Sequence, residues 1–373
     1  MKKYLTALCL LLVVSLSFQS LPPDYAVVEA SRSGNLQLFL ILGSEELSQK
    51  NYLTLDQALQ AGKVTVKETG SVNQLSVDND GDTYVFIHSG DIVKGGKQDR
   101  TISQDVIIPP KAKDVALESF CVERGRWRQR GEEAVGHFSQ NTAMLSSRDL
   151  KLSARYAKSQ GQVWSKVAEQ QAELSKEVSE QEGRMVEVSS FESATSLQLA
   201  LENEALNKLK LEKKKRYADL LDSHPRAIGY AYAINGEIYG IDIYNNRQLF
   251  VDLWDKLLDA VIVESIAIAE AEGFTPVAPA EVLAFITETH QDSPKPTQSE
   301  INASTSLKMV ENANMQVMFS TEDKAARQWI HRNYVKRDAS LEQQPNLDIR
   351  PYRNIENNLP VPQEQRIIRN RRH

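Results

Sequence analysis

The chain has 373 residues, of which 41% are hydrophobic and 25% charged, and its formal net charge is −6. That length suits one large domain or two ordinary ones, with ample apolar material for a core. The acidic balance excludes a general nucleic-acid binder, which carries a basic surplus.

At the N-terminus, Lys2 and Lys3 precede an apolar run over residues 5–16, with small residues at Ser15, Ser17 and Ser20. A short basic region, an apolar run and small residues together predict a secretory signal peptide over residues 1–20, cut after Ser17 or Ser20. The run is shorter than the ~20 apolar residues of a membrane span. The chain is therefore expected to be exported, periplasmic or extracellular, and not an integral membrane protein after cleavage. Cys9 leaves with that segment. Cys121 then stands alone, so no intramolecular disulfide is expected.

Residues 36–122 read mostly as strand. The apolar run 36–42 is a buried strand, and 63–67 alternates as a half-buried one should. Asn79, Asp80, Gly81 and Asp82 carry turn chemistry, and strands follow at 84–88, 106–108 and 115–122. Pro109 and Pro110 close one of them, because proline cannot donate to a ladder. Residues 90–100 between them are polar and glycine-bearing.

The middle, about 150–221, is helical. Residues 150–176 place Val163, Val167 and Leu174 near one face. A second helix is predicted from Thr195, with Gln198 as capping-box partner and Leu197, Leu201, Ala205 and Leu209 along one side. Residues 179–190 between them read as a polar loop. The strongest local pattern comes next: two strands, 228–234 and 237–243, flank Asn235-Gly236, the dipeptide favoured in type I′ hairpin turns.

A long amphipathic helix over 248–272 follows, buried through Phe250, Leu253, Trp254, Leu257, Leu258 and Val261, then a shorter helix over 280–289. Residues 292–304 read as a polar linker, and 307–319 and 329–335 as strands. Residues 337–373 are rich in Gln, Asn and Pro and end in Arg366, Arg369, Arg371 and Arg372. They read as a disordered basic tail. Strand clusters alternating with helix clusters, without regular βαβ units, predict an α+β fold. It is expected as a largely antiparallel, strand-rich sheet with an inserted helical pair and a long packing helix, in one integrated domain.

Four ordered motifs carry a family resemblance. They are Gly90-Asp-Ile-Val-Lys-Gly-Gly-Lys-Gln-Asp-Arg100 with Ile107-Ile-Pro-Pro110 and Cys121-Val-Glu-Arg-Gly-Arg-Trp127; Gln160-Gly-Gln-Val-Trp-Ser-Lys-Val-Ala168; Tyr239-Gly-Ile-Asp-Ile243; and Leu253-Trp-Asp-Lys-Leu-Leu258. Over residues 30–336 the chain resembles the ADP-ribosylglycohydrolase and rhodanese-phosphatase associated protein (ARPP) domain family. The resemblance implies an association with ADP-ribose and phosphate chemistry, and no set of catalytic residues.

The residues themselves suggest one candidate site. Lys97 and Arg100 in the glycine-bearing loop, with Arg126 after the next strand, would bind an anion through charge-assisted hydrogen bonds if the two loops meet. Lys94 and Arg124 are close in sequence, and backbone N–H groups at Gly95 and Gly96 could join. Asp99, Cys121 and Glu123 are auxiliary candidates, and Asp242 is a further carboxylate in a family-like motif. The alternative is a solvated hairpin with ordinary surface charges and a buried apolar Cys121. Six histidines, His88, His137, His224, His290, His331 and His373, show no paired metal-binding spacing, so neither metal nor cofactor is expected. Asp78, Asp80 and Asp82 fit a plain turn better than a calcium loop. Trp127, Trp164 and Trp254 read as core residues. Two functions fit these residues: a non-catalytic envelope or periplasmic module binding an anionic small molecule or an envelope partner, and an enzyme acting on a phosphate- or ADP-ribose-containing compound.

Overall fold

In the computed structural model, the described residues are 25–43, 47–126, 128–139, 145–291 and 295–342. The expected signal peptide, Trp127 and nearly all of the basic tail lie outside them. The Asn-Gly hairpin forms as its sequence dictates. Asn235 and Gly236 have φ of 50° and 77°, and the strands Ala227–Ile234 and Glu237–Tyr244 pair antiparallel on either side. This hairpin sits inside an eight-stranded antiparallel sheet. The order is Ala26–Ser33, Leu36–Leu42, Ala227–Ile234, Glu237–Tyr244, Gln328–Lys336, Gln316–Asp323, Thr305–Glu311 and Thr297–Glu300.

Both faces of the sheet's middle are covered, which explains why Ala227–Ile234 is apolar throughout rather than alternating. Tyr230, Tyr232 and Ile234 share a core with Phe250, Leu253 and Leu257 of the long helix Arg247–Ala267. Ala231 and Ala233 point the other way, into a core with Val282, Phe285 and Ile286 of Pro279–His290. The period of two assigns side chains to faces. Asn246 caps the long helix, its Oδ1 accepting from the Leu249 N–H.

The first third of the chain builds a closed barrel of Val115–Cys121, Gln74–Asn79, Val64–Ser71, His137–Ser139, Ile92–Gly95 and Arg100–Ile102. Beside it, Tyr84–Ile87 pairs parallel with Tyr52–Thr54 and antiparallel with Val106–Ile108. Antiparallel pairing thus dominates, and the α+β class is as expected.

Four elements differ from the sequence reading, each for a local reason. The helix expected over 150–176 is two helices, Arg148–Arg155 and Gln160–Glu182. Lys158 turns left-handed at φ 51°, and the Ser159 hydroxyl starts the second helix by accepting from the Gln162 N–H. The next helix starts at Ser196 rather than Thr195 and breaks again, because Asn203 caps a new helix, Glu204–Lys214, through Ala205 and Leu206 N–H groups. Among the described residues, the segment between His137–Ser139 and the hairpin therefore holds four α-helices rather than a pair, followed by a short 3-10 turn at Lys215–Tyr217. Residues 297–300 are not linker but an exposed edge strand, held by backbone pairing to Thr305–Glu311. Residues 307–319 divide into two strands at a turn where Met315 has φ 62° and the Asn312 side chain accepts from Asn314 and Gln316 N–H groups.

One hydrophobic cluster runs through these parts. It joins Ile92, Phe120 and Val122 of the barrel side to Val163, Val167 and Leu174 of the middle helices, and both to Tyr230 and Phe250. Trp254 packs against it, partly buried, while Trp164 is half-buried beneath the Arg124 guanidinium. No helix among the described residues is long and apolar enough to cross a membrane.

Candidate functional site

The two loops singled out from sequence do meet. Arg100 pairs with Cys121 across neighbouring barrel strands, and the chain after Cys121 returns over the glycine loop. The charges there satisfy one another. The Arg126 Nε lies 2.7 Å from Glu123 Oε2, and its terminal nitrogens donate to the Gly95 and Gly96 carbonyls at 3.2 Å each. Arg130 reaches both Asp99 oxygens at 2.9 and 3.0 Å and Glu123 at 3.3 Å. Ser196 donates to Asp99 at 2.8 Å, and the Gly95 N–H to Asp99 at 3.0 Å. Asp99 and Glu123 are fully buried, so this is an internal ion-pair network with its oxygens occupied.

Arg100 is completely buried too, donating to Cys121 Sγ at 2.7 Å and Gln98 at 3.1 Å, with Glu68 at 3.7 Å. Burial pushes the Cys121 thiol up to about 11, against the pull of Arg100. Lys97 lies half-buried at the edge, its backbone N–H 3.4 Å from Glu68. Lys94 pairs with Glu202 instead. Arg130 and Ser196 were not among the sequence candidates. Asp78, Asp80 and Asp82 pair with Lys67, Lys113 and Lys111, in keeping with a plain turn.

A different centre forms where the eight-stranded sheet meets the three-stranded one. Strand register builds it. Asp242 opposes Asn333, Tyr244 opposes His331, and Thr321 opposes His331 from the other side. Residues two apart share a face, so Asp242, Tyr244, His331, Asn333 and Thr321 form one polar patch on an otherwise apolar sheet. His88 comes to it from the end of Tyr84–Ile87, Asp105 from the start of Val106–Ile108, and Lys151 and Arg155 from the helix Arg148–Arg155. Gly90 makes room for the helix: at φ 92°, a Cβ there would lie 2.7 Å from Lys151 Cδ.

His331 is fully buried between two carboxylates, with Nδ1 2.8 Å from Asp105 Oδ2 and Nε2 3.0 Å from Asp242 Oδ1. Burial alone would lower its pKa, but the Asp105 charge and the hydrogen bonds to both carboxylates outweigh this and raise it. Burial would likewise raise Asp105, yet His331 and Arg155 hold it well below the usual carboxylate range. Asp105 Oδ2 also accepts from Thr321 at 2.6 Å, and Oδ1 from the Ser89 N–H at 2.8 Å. Asp242 is held low against its burial by the His331 hydrogen bond and by Lys151. His88 Nδ1 lies 2.6 Å from the Ser89 carbonyl and Nε2 2.8 Å from the Tyr244 hydroxyl. Burial and the neighbouring His331 depress His88 to about 3, so it is neutral. The ligand atoms of His88, Asp105 and His331 all lie within 4.8 Å of one another, a convergence that their sequence spacing does not announce.

Above this centre runs a narrow cleft lined by His88, Lys151, Arg155, Tyr232, Asp242 and Asn333, with room of about 10 Å³, roughly one water. Arg148 lines it as well and separates it from a second cavity of about 180 Å³, bounded by Asp149, Lys166, Tyr239 and Glu264 among others. Arg148 stacks 3.9 Å from the Tyr239 ring centre and pairs with Asp149, and Arg155 contacts Asp105. Lys151 differs from both. It is half-buried, and its ammonium has no ion pair at contact distance among the described residues, though its charge helps to hold Asp242 low. Glu264 accepts from the Tyr232 hydroxyl at 2.8 Å and the Arg148 N–H at 3.0 Å. Its burial raises its pKa, against Arg148 and Tyr232.

Of this centre, Asp242 alone was among the sequence candidates. The usable signal was a charged or polar residue inside an apolar strand, as at Asp242 and His331. Neither the curated proteins nor the solved structures contain a match to this chain. The family model of the ARG and Rhodanese-Phosphatase-superfamily-associated Protein domain, ARPP-1, matches residues 24–335, which includes every residue of both networks, and the chain therefore belongs to the ARPP-1 family.

Proposed function

We propose that this is an exported binding module for a small anionic ligand, whose negative group is taken by Lys151 in the cleft over His331. The observation that carries the reading is the state of the cations. Arg126 and Arg130 are spent on Asp99 and Glu123, Arg155 on Asp105 and Arg148 on Asp149, whereas Lys151 lines the cleft with no carboxylate in direct contact among the described residues, its charge acting on Asp242 from farther off. A half-buried ammonium gains more from an anion than an exposed one, because water screens the attraction less. The cleft holds about one water, so a carboxylate or phosphate group would enter end-on, with the Lys151 and Arg148 side chains adjusting around it. The body of the ligand would then lie in the neighbouring cavity of about 180 Å³.

Export rests on the basic–apolar–small pattern of residues 1–20. N-terminal sequencing of protein from the envelope or medium should start at residue 18 or 21. Cytoplasmic protein retaining Met1 would refute export.

Thermal unfolding tests the site, with sodium phosphate, sodium citrate and ADP-ribose compared against sodium chloride at equal ionic strength. At least one anion should raise the Tm of the wild type, and Lys151→Met should remove the rise. No shift with any anion, or an equal shift in Lys151→Met, would reject the cleft as the site.

A further inference from the structure

We propose that His88, Asp105 and His331 together bind one divalent transition-metal ion, with zinc the best match to their donor atoms. The inference goes beyond anion binding and does not depend on it. The three residues come from separate parts of the chain, 88, 105 and 331, and each is at most 1% exposed. Their ligand atoms lie within 4.8 Å of one another.

Orientation strengthens the case. Metal-binding histidines usually donate their second ring N–H to a carbonyl or carboxylate, which fixes the tautomer and aims the other nitrogen at the ion. His88 does this through Nδ1, 2.6 Å from the Ser89 carbonyl oxygen, leaving the Nε2 lone pair. His331 does it through Nε2, 3.0 Å from Asp242, and turns Nδ1 toward Asp105. Asp105 is anchored through Oδ1 by the Ser89 N–H, so Oδ2 faces His331. The Phe86 ring packs edge-on against both imidazoles and gives the site an apolar side.

Zinc takes imidazole and carboxylate ligands at about 2.0–2.2 Å in a tetrahedron, so its ligand atoms stand roughly 3.3 Å apart. Small rotations of His88 and His331 would bring the observed spread to that size. Two nitrogens and one oxygen suit zinc and its first-row neighbours better than calcium or magnesium, which prefer oxygen. The fourth position would fall to the Tyr244 hydroxyl, 2.8 Å from His88 Nε2, or to a water in the cleft that His88 lines. The ion would take the place on Asp105 Oδ2 that His331 Nδ1 now occupies at 2.8 Å, and the long 3.3 Å approach of Arg155 would yield before the shorter Thr321 contact.

The test uses the mature chain purified without a polyhistidine tag and without added anion. After zinc loading and removal of loose metal, elemental analysis should find about one ion per chain. Zinc should raise the Tm, and cobalt(II) should give the visible absorption of a tetrahedral site. His88→Gln and His331→Gln should lose the ion, while His137→Gln, which changes an exposed histidine, should keep it. Circular dichroism checks the variants' fold, and the cobalt spectrum of the wild type decides the matter even if a variant does not fold. Background metal content with no cobalt band and no zinc-induced shift would overturn the proposal. Metal binding unchanged in both folded variants would overturn it equally.

Discussion

Asp99 and Glu123 are both fully buried, and Arg130 contacts each of them through a single side chain, holding Asp99 more closely than Arg126 does. Removing its guanidinium would leave two carboxylates inside the protein with only Arg126 between them. Breaking a buried pair in this way costs roughly 3–5 kcal/mol. Arg130→Met should therefore lower the free energy of unfolding by about that amount in a urea titration. A loss under about 1 kcal/mol would mean that water reaches the network. Glu264 gives a pH-dependent counterpart. Burial raises its pKa, so the folded state holds its proton to higher pH than the unfolded state. Its neutral form favours folding at low pH, and that contribution falls as pH rises from the ordinary carboxyl range through the raised value. Glu264→Gln keeps a neutral side chain at every pH. Unfolding free energies measured from pH 4 to 8 should decline less steeply in the variant. Parallel curves would show that Glu264 titrates normally.

At the scale of single elements, the local chemistry of short motifs was legible in the sequence. Asn235-Gly236 gave a hairpin because both residues tolerate positive φ. Gly236 is the more constrained of the two. At φ 77°, a Cβ on it would lie 2.3 Å from the Thr275 carbonyl oxygen. Gly236→Ala should destabilise the protein by more than about 1 kcal/mol in chemical denaturation, since strain and a backbone clash add. A neutral effect would mean that the 273–277 segment yields freely. Helix breaks were harder to read, because the apolar spacing of Leu197, Leu201, Ala205 and Leu209 continues across them. Asn203 ended that helix by capping the next one, a side-chain hydrogen bond that overrides periodicity. Residues 297–300 were misread because an edge strand with both faces in water needs no apolar alternation.

At the scale of the whole molecule, the family and the α+β class were legible, because ordered motifs and alternating element types span most of the chain. The approach of the Lys97, Arg100 and Arg126 loops stands in the sequence only as a condition; they do meet, and Arg130, which no sequence pattern singles out, joins Asp99 and Glu123 in closing the space between them. The centre around His331 could not be found by spacing. It is assembled from residues 88, 105, 151, 155, 242 and 331, which become neighbours only when the hairpin, the Gln328–Lys336 strand and the three-stranded sheet stack. Its partial signals were Asp242 and His331, polar residues in strands that are otherwise apolar. The central claim is that ligand chemistry belongs to this junction rather than to the barrel's arginine network. Calorimetric titration of phosphate into the wild type, Lys151→Met and Lys97→Ala tests it most directly. The account predicts binding to the wild type and to Lys97→Ala, with at least a tenfold loss in Lys151→Met. Binding retained by Lys151→Met and lost in Lys97→Ala would contradict it and return the site to the glycine loop.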